Sequence, residues 1–582
     1  MQIRTYGQSG RLAGLILTLL LAAVRLPSQE VRLVPVAGIA EYPDAAAPTA
    51  LQFACAPDQA TLARRFHKLG KPFEKGLVRA GSDGGVCHID YDPTLPGFQA
   101  DPETAPVRRL IASIDPLPFV IGRKPVGASI DILRGVLAEV RPSIEVDLLV
   151  VREFDERLWP SALARSFPDS DRRRYRIIGI NSTNVFAWGQ DFIRSGRVGA
   201  TPRLLVPRRV FEGRGADGAL SIPILDVLQG EQYVRSKLSW EGGDLLIAVQ
   251  PGSDRRRILI HGGSAGEYWA SESLTSKEYG YVLGREFGAD LTVDLSPIGP
   301  HVDYLVSILP DGKTVLVAEP VRESYPLAKS SADELEAFYG DGAPSELAAL
   351  VALLRSSPEV LRERAGDIES AIERLRPILE AHERKLGPEF EARIAAYIRS
   401  NCPQDPTQCF VGIGKQTMFE KNPALAREVA DAATSGELEK ALPQRLLDLI
   451  EGQLPNAPLW RNDMLDDAAT TMKQLGFRVV RVPFLVSPKH IDHWVGVSYT
   501  NSLAIRGKLF VPAFGLGEAE EAIFADMARK LPTLRIVPIH ARYSLLDNGG
   551  VHCILGPVRG SSDMITQLEP PSFSLPAPAR SE

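Results

Sequence analysis

The sequence predicts a mixed α/β fold, and three observations carry that expectation. Short apolar strands recur from about residue 106 onward, at Ile144–Val151, Arg176–Ile180, Leu245–Val249, Arg257–Ile260 and Leu291–Leu295. Turns and helices separate them, which is the alternation of an α/β domain. A mostly helical stretch then occupies about 320–475, before strand character resumes at Phe477–Leu485 and Leu503–Val511. Finally, 44 % hydrophobic and 24 % charged residues suit a folded chain that can bury a core.

Taken in order, the chain opens with Arg4 and Arg11 and then an apolar run without charges, Leu12 to Val24. That run is shorter than the roughly 20 residues a spanning helix needs. It suits the apolar region of a secretory signal. Residues 1–28 are therefore read as a signal peptide or an uncleaved N-terminal anchor. The protein is expected to be exported, secreted or periplasmic, and to touch a membrane only if that segment is retained. Residues 29–105, rich in Pro, Ala and Gly, read as a small N-terminal region. The main domain is expected over 106–565, with 320–475 as a helical insertion and 566–582 as a loose Pro- and Ser-rich tail.

Within the helical stretch, Ser331 and Glu334 have the spacing of a capping box. Ser357-Pro358 and Asn422-Pro423 read as N-cap and first-turn pairs. Ile368, Ile372, Leu375 and Leu379 recur at helical spacing, as a core-facing stripe does. The run His301–Leu309, followed by Pro310-Asp311-Gly312-Lys313 and Thr314–Ala318, reads as strand, tight turn, strand.

The net charge of -6 over 582 residues gives no reason to expect a nucleic-acid partner. The basic runs Arg172–Arg174 and Arg255–Arg257 read as solvated loop faces. Of the five cysteines, Cys402 and Cys409 close a short loop, and Cys55 and Cys87 are a candidate pair if the chain is exported. Cys553 is left over, either a reactive thiol or an inert buried one.

Four separated segments carry chemistry: Trp188-Gly189-Gln190-Asp191, Trp240-Glu241-Gly242-Gly243-Asp244, Gly299-Pro300-His301-Val302-Asp303, and Asp547-Asn548-Gly549-Gly550-Val551-His552-Cys553. In a strand, His301 and Asp303 would project to one face. The Asn-Gly-Gly turn would deliver Cys553 to a pocket. An extended segment would turn His552 to the opposite face, in a structural role. His490 and His493 lack a third ligand and read as surface histidines.

These segments, in this order, resemble the guanidino-group-modifying enzymes of the pentein fold, above all the catalytic domain of protein-arginine deiminases. The stretch Asn501-Ser502-Leu503 through Phe510–Gly515 is similar to that family as well. Agmatine deiminases and arginine deiminases share parts of the pattern. The resemblance spans about 180–560 and implies a pentein-type α/β propeller of five modules. It implies that Asp191 and Asp303 grip the guanidinium, that Cys553 attacks its carbon, and that His301 protonates departing ammonia and then activates water. Trp188 and Asp244 are counted as substrate contacts, although Asp244 is equally suited to capping a turn.

The activity so implied is conversion of arginine side chains in a protein or peptide to citrulline. Its rivals are a deiminase of agmatine or free arginine, an amidinotransferase, and an inactive pentein acting as an exported binding protein. The chemistry requires no redox cofactor or catalytic metal. Animal members bind calcium, which makes Gln190 a candidate calcium ligand, but Arg194 stands where those relatives carry acidic residues. They also place a substrate-gripping arginine near the position of Asp547, and Arg197, Arg203, Arg208 or Arg209 are the candidate replacements.

Overall fold

The structure is a computed structural model. It describes residues 32–34, 51–53, 89–114, 128–140, 144–151, 175–180, 188–207, 233–238, 240–253, 256–263, 276–295, 301–320, 327–339, 344–383, 447, 450, 462–486, 496–541 and 549–560. The expectations for residues 1–28, Cys55, Cys87, Arg172–Arg174, Arg208, Arg209, Cys402, Cys409, Asn422, His490, His493, Asp547 and the tail lie outside these residues. Among the described residues no helix is long and apolar enough to cross a membrane.

Strands and helices mix as expected, and one unit repeats. Leu245–Val249 pairs antiparallel with Arg257–His261, which pairs parallel with Leu291–Asp294. Val306–Ile308, Thr314–Pro320 and Arg478–Val486 repeat that order, as do Leu503–Ile505, Lys508–Ala513 and Arg535–His540. Arg194–Val198, Thr201–Val206 and Tyr233–Arg235 repeat it again. The fifth instance joins distant parts of the chain. Gly556–Arg559 pairs antiparallel with Val107–Ile114, which pairs parallel with Glu145–Val151. A parallel neighbour needs a crossover, and helices supply it. They are Ala128–Glu139, Ser276–Phe287, the helices between Leu327 and Gln474, and Gly517–Lys530. The central parallel strands are apolar because they are covered on both faces; Thr314–Pro320 is buried almost throughout.

Four local expectations are corrected. The predicted strand Leu503–Val511 is a hairpin, because Arg506 and Gly507 both take positive φ, 51° and 76°, as a two-residue type I′ turn requires. His301–Leu309 is not one strand: Val302–Leu305 is a single helical turn, and the strand begins at Val306. Ser331 and Glu334 lie inside the helix Leu327–Tyr339 and not at its N-terminus. The boundary at 105 does not separate two regions, since Phe98–Ala100 pairs with Arg194–Val198 in one sheet. Elsewhere the local reading holds. Ser357 caps Pro358–Glu363 by accepting from Val360 N, and Ile368, Ile372 and Leu375 are fully buried on the helix Ala365–Glu383.

Candidate active site

Each motif is a single helical turn set just ahead of the first strand of a repeat. Gly189–Phe192 precedes Arg194–Val198, and Gly242–Asp244 precedes Leu245–Val249. Val302–Leu305 precedes Val306–Ile308, and Val551–Ile554 precedes Gly556–Arg559. The four turns pack on one another. This brings Asp191, Glu241, His301, Asp303 and Cys553 into one cluster, although Asp303 and Cys553 are 250 residues apart in the chain.

The carboxylates are fixed from behind. Asp191 accepts from the backbone N–H of Gly243 at 2.9 Å. A side chain at Gly243 would stand 2.5 Å from His301 Nδ1 and 3.2 Å from an oxygen of both Asp191 and Asp303, so the bare glycine leaves room for all three. Likewise the Trp188 ring lies where a Gly549 side chain would be, which explains why the turn ahead of Cys553 has glycine there. Trp188 is itself buried in the main core. Asp244 is buried too, and its backbone N–H donates to Glu241 O.

His301 sits in the left-handed region at φ 52°, a conformation that is rare for a residue with a Cβ. Its Nε2 meets Glu241 Oε2 at 2.8 Å, and its side chain, 22 % exposed, is the most open of the group. Burial alone would discharge the ring. The charges of Glu241 and Asp191 and the hydrogen bonds to Cys553 and Glu241 outweigh it and raise its pKa well above the ordinary histidine value. The Cys553 thiol lies 3.4 and 3.6 Å from the two oxygens of Asp303. Burial and then the Asp303 charge push its pKa up to about 12, against the pull of His301.

His552 does not face away from the site. Because Val551–Ile554 is a helical turn and not extended chain, His552 Nδ1 reaches Asp303 Oδ2 at 2.8 Å. Its Nε2 stands 3.7 Å from Glu103 Oε2. Burial opposes protonation, but hydrogen bonds and charges from Asp303 and Glu103 raise its pKa. Glu103 is in turn paired with Arg194 at 3.0 Å and Arg559 at 2.7 Å. Arg194 also donates to Gly242 O and Leu245 O.

That arrangement bears on calcium. With its amide oriented to satisfy its neighbours, Gln190 accepts from both terminal nitrogens of Arg194 at 3.1 Å. An oxygen spent on a guanidinium, beside that fixed charge, does not fit a calcium ligand. Of the candidate peptide-gripping arginines described, Arg197 is exposed and Arg203 donates to Pro202 O.

Sequence reasoning quoted Glu241 and Asn501 within motifs but gave neither a role. Glu103 carried no local signal at all.

No curated protein matches the chain. Solved structures with a likeness to it include the agmatine deiminase of C. jejuni, at 13 % identity and TM-score 0.42 over 80 % of this chain and 96 % of that one. A Porphyromonas gingivalis protein described as a candidate arginine deiminase gives 13 % and 0.42, over 79 % and 100 %. The agmatine deiminase of Enterococcus faecalis gives 10 % and 0.41, over 80 % and 96 %. The resemblance read in the motifs is borne out in the segment that holds the cysteine: residues 458–556 match the Porphyromonas-type peptidyl-arginine deiminase family.

Proposed function

We propose that the chain is a pentein deiminase that hydrolyses the guanidinium of arginine side chains in proteins or peptides, giving citrulline and ammonia. The observation that carries this is the cluster itself: one thiol, one imidazole and the carboxylates of Asp191, Asp303 and Glu241, gathered from four distant turns. The family match over 458–556 supports the peptidyl substrate. The apolar run Leu12 to Val24 supports export.

A guanidinium is planar, permanently charged and a poor electrophile. Asp191 and Asp303 accept hydrogen bonds from its N–H fork, which aligns the central carbon with sulfur. Their charges oppose thiolate formation in the free protein, and the cationic substrate cancels them. Cys553 then gives its proton to a water molecule, which passes it on to the ammonia once released, and the thiolate forms a C–S bond to the carbon. His301, held by Glu241, gives a proton to the departing nitrogen as the C–N bond breaks. The ring, now neutral, takes a proton from water as the water oxygen bonds to that carbon. The C–S bond breaks, leaving a ureido group, and the second proton of that water passes to sulfur, which restores the thiol. Every proton has a carrier in Cys553, His301, water or ammonia.

The test is citrulline formation by the purified chain on an arginine peptide, free arginine and agmatine, with and without calcium. Activity on the peptide is expected, unchanged by calcium. Cys553→Ala should lose on the order of a thousandfold or more. Full activity of Cys553→Ala would falsify the reading, and activity on agmatine alone would move the substrate to a small guanidine.

A further inference from the structure

Asp191 and Glu241 both act on His301, yet they come from different turns ahead of different sheets. Two carboxylates beside one ring repel each other, so their spacing needs support from outside the site. One tie is the bond from Gly243 N–H to Asp191. A second runs through Arg194, a buried residue to which the mechanism above gives no task.

We infer that Arg194 is a positioning residue, a cation built into the chain whose guanidinium holds the turn of Asp191 and the turn of Glu241 at the spacing the His301 ring needs. For its effect on activity the inference rests on the reading of His301 as acid and base.

The contacts of Arg194 come from three parts of the chain. Arg194 opens the strand Arg194–Val198, so its backbone continues the turn Gly189–Phe192. Its terminal nitrogens reach back to Gln190 Oε1, 3.1 Å from each, next to Asp191. They also reach Gly242 O, at the first residue of the second turn, and Leu245 O, just past its last. The remaining partner is Glu103 Oε1 at 3.0 Å. Glu103 is anchored in turn: its backbone N–H donates to Ile247 O at 2.8 Å, and its other oxygen meets Arg559 at 2.7 Å. The two turns also touch directly, because a side chain at Gly242 would collide with Gln190 O. A displaced Arg194 therefore displaces one turn against the other.

Four oxygens around a buried positive charge are what a hard metal ion would also seek. Here the charge belongs to the chain. A guanidinium is planar and carries a fixed fork of donors, so it sets direction as well as distance. It keeps its charge at any working pH, and no chelator can draw it off.

The effect is read at His301. That ring faces Glu241 and Asp191, with Asp303 on its own turn and Cys553 from the fourth. Its raised pKa depends on how near the two carboxylates stand. Removing a nearby positive charge would by itself raise that pKa further, whereas slackened carboxylates would lower it. A through-space effect of Arg194 and a positioning effect thus have opposite signs.

The experiment is an NMR titration of the His301 Cε1 signal in the full chain with labelled histidine, the signal being identified by its absence in His301→Asn. It needs no substrate, so it stands apart from the deiminase reading. In Arg194→Lys the charge stays and the fork is lost; in Arg194→Met both go. The His301 titration should move down towards the ordinary 6.5 in both variants, and kcat on an arginine peptide should fall about ten- to a hundredfold. If Arg194→Met does not fold, Arg194→Lys alone decides. The same downward move in a chain with no deiminase activity would uphold the positioning and reject the deiminase reading. A ring that titrates as in the parent in folded Arg194→Lys, or higher than in the parent in Arg194→Met, overturns the inference.

Discussion

Cys553 and His552 show how much one residue's setting changes its meaning. As the cysteine without an evident partner, Cys553 was only a candidate; the structure gives it Asp303, Asn501 and His301. Its thiol is held protonated by burial and by carboxylate charge, and that charge is what a guanidinium neutralises. Binding a non-reactive guanidinium should therefore lower the thiol pKa, seen as faster reaction of Cys553 with a small uncharged alkylating agent that still reaches the sulfur, or as thiolate absorbance at lower pH. A pKa unmoved by saturating ligand would remove this part of the mechanism. His552 faces the site, against the alternation of an extended chain, because its segment forms a helical turn. Four residues are too few for a helical period to be visible in sequence.

At the level of elements, the strands were legible and the turns between them were not. Leu245–Val249 and Arg257–His261 stand within a residue of expectation because strands buried along nearly their whole length leave apolar runs. The short turns that carry the site left only their glycines, whose purpose is visible once the neighbours are known. Gly243 is the sharpest case. Its backbone is one that alanine can adopt, so Gly243→Ala should fold. The added methyl would meet the movable ring of His301 and crowd Asp191 and Asp303. A displacement of that size at a reacting group is expected to lower kcat by about a hundredfold, with the thermal midpoint nearly unchanged. Steady-state kinetics beside a melting curve would check this, and parental kcat would refute the close packing.

Across the whole molecule, the site rests on a buried charge network that the motifs did not announce. Glu103, from a stretch read as separate, neutralises Arg194 and Arg559 and faces His552. Its first influence is burial, which opposes ionisation, but the two arginines prevail and its carboxyl is held far below the usual range. Nothing near Glu103 in sequence signals this, since its partners lie 91 and more than 450 residues away. His301, His552 and Cys553 all bind protons more tightly folded than unfolded. Raised pKa values contribute stability that is complete below the unfolded values and lost as pH rises through the folded ones. Stability from the two histidines should thus decline upward from their ordinary pKa of 6.5, and that from the thiol between 9.0 and about 12. The urea midpoint should fall from pH 7 to pH 10, and less steeply in His552→Gln. A midpoint that rises over that window would contradict the assigned protonation.

The pairing of Gly556–Arg559 with Val107–Ile114 joins the last described strand to one of the first. Contacts so distant in sequence form slowly and late in folding. Cys553 lies just ahead of that closing strand, so a chain still being synthesised, or one cut short by a few dozen residues at its C-terminal end, carries the carboxylates and the imidazole without a nucleophile. Under the proposed function, no chemistry can begin until that ring of contacts is complete.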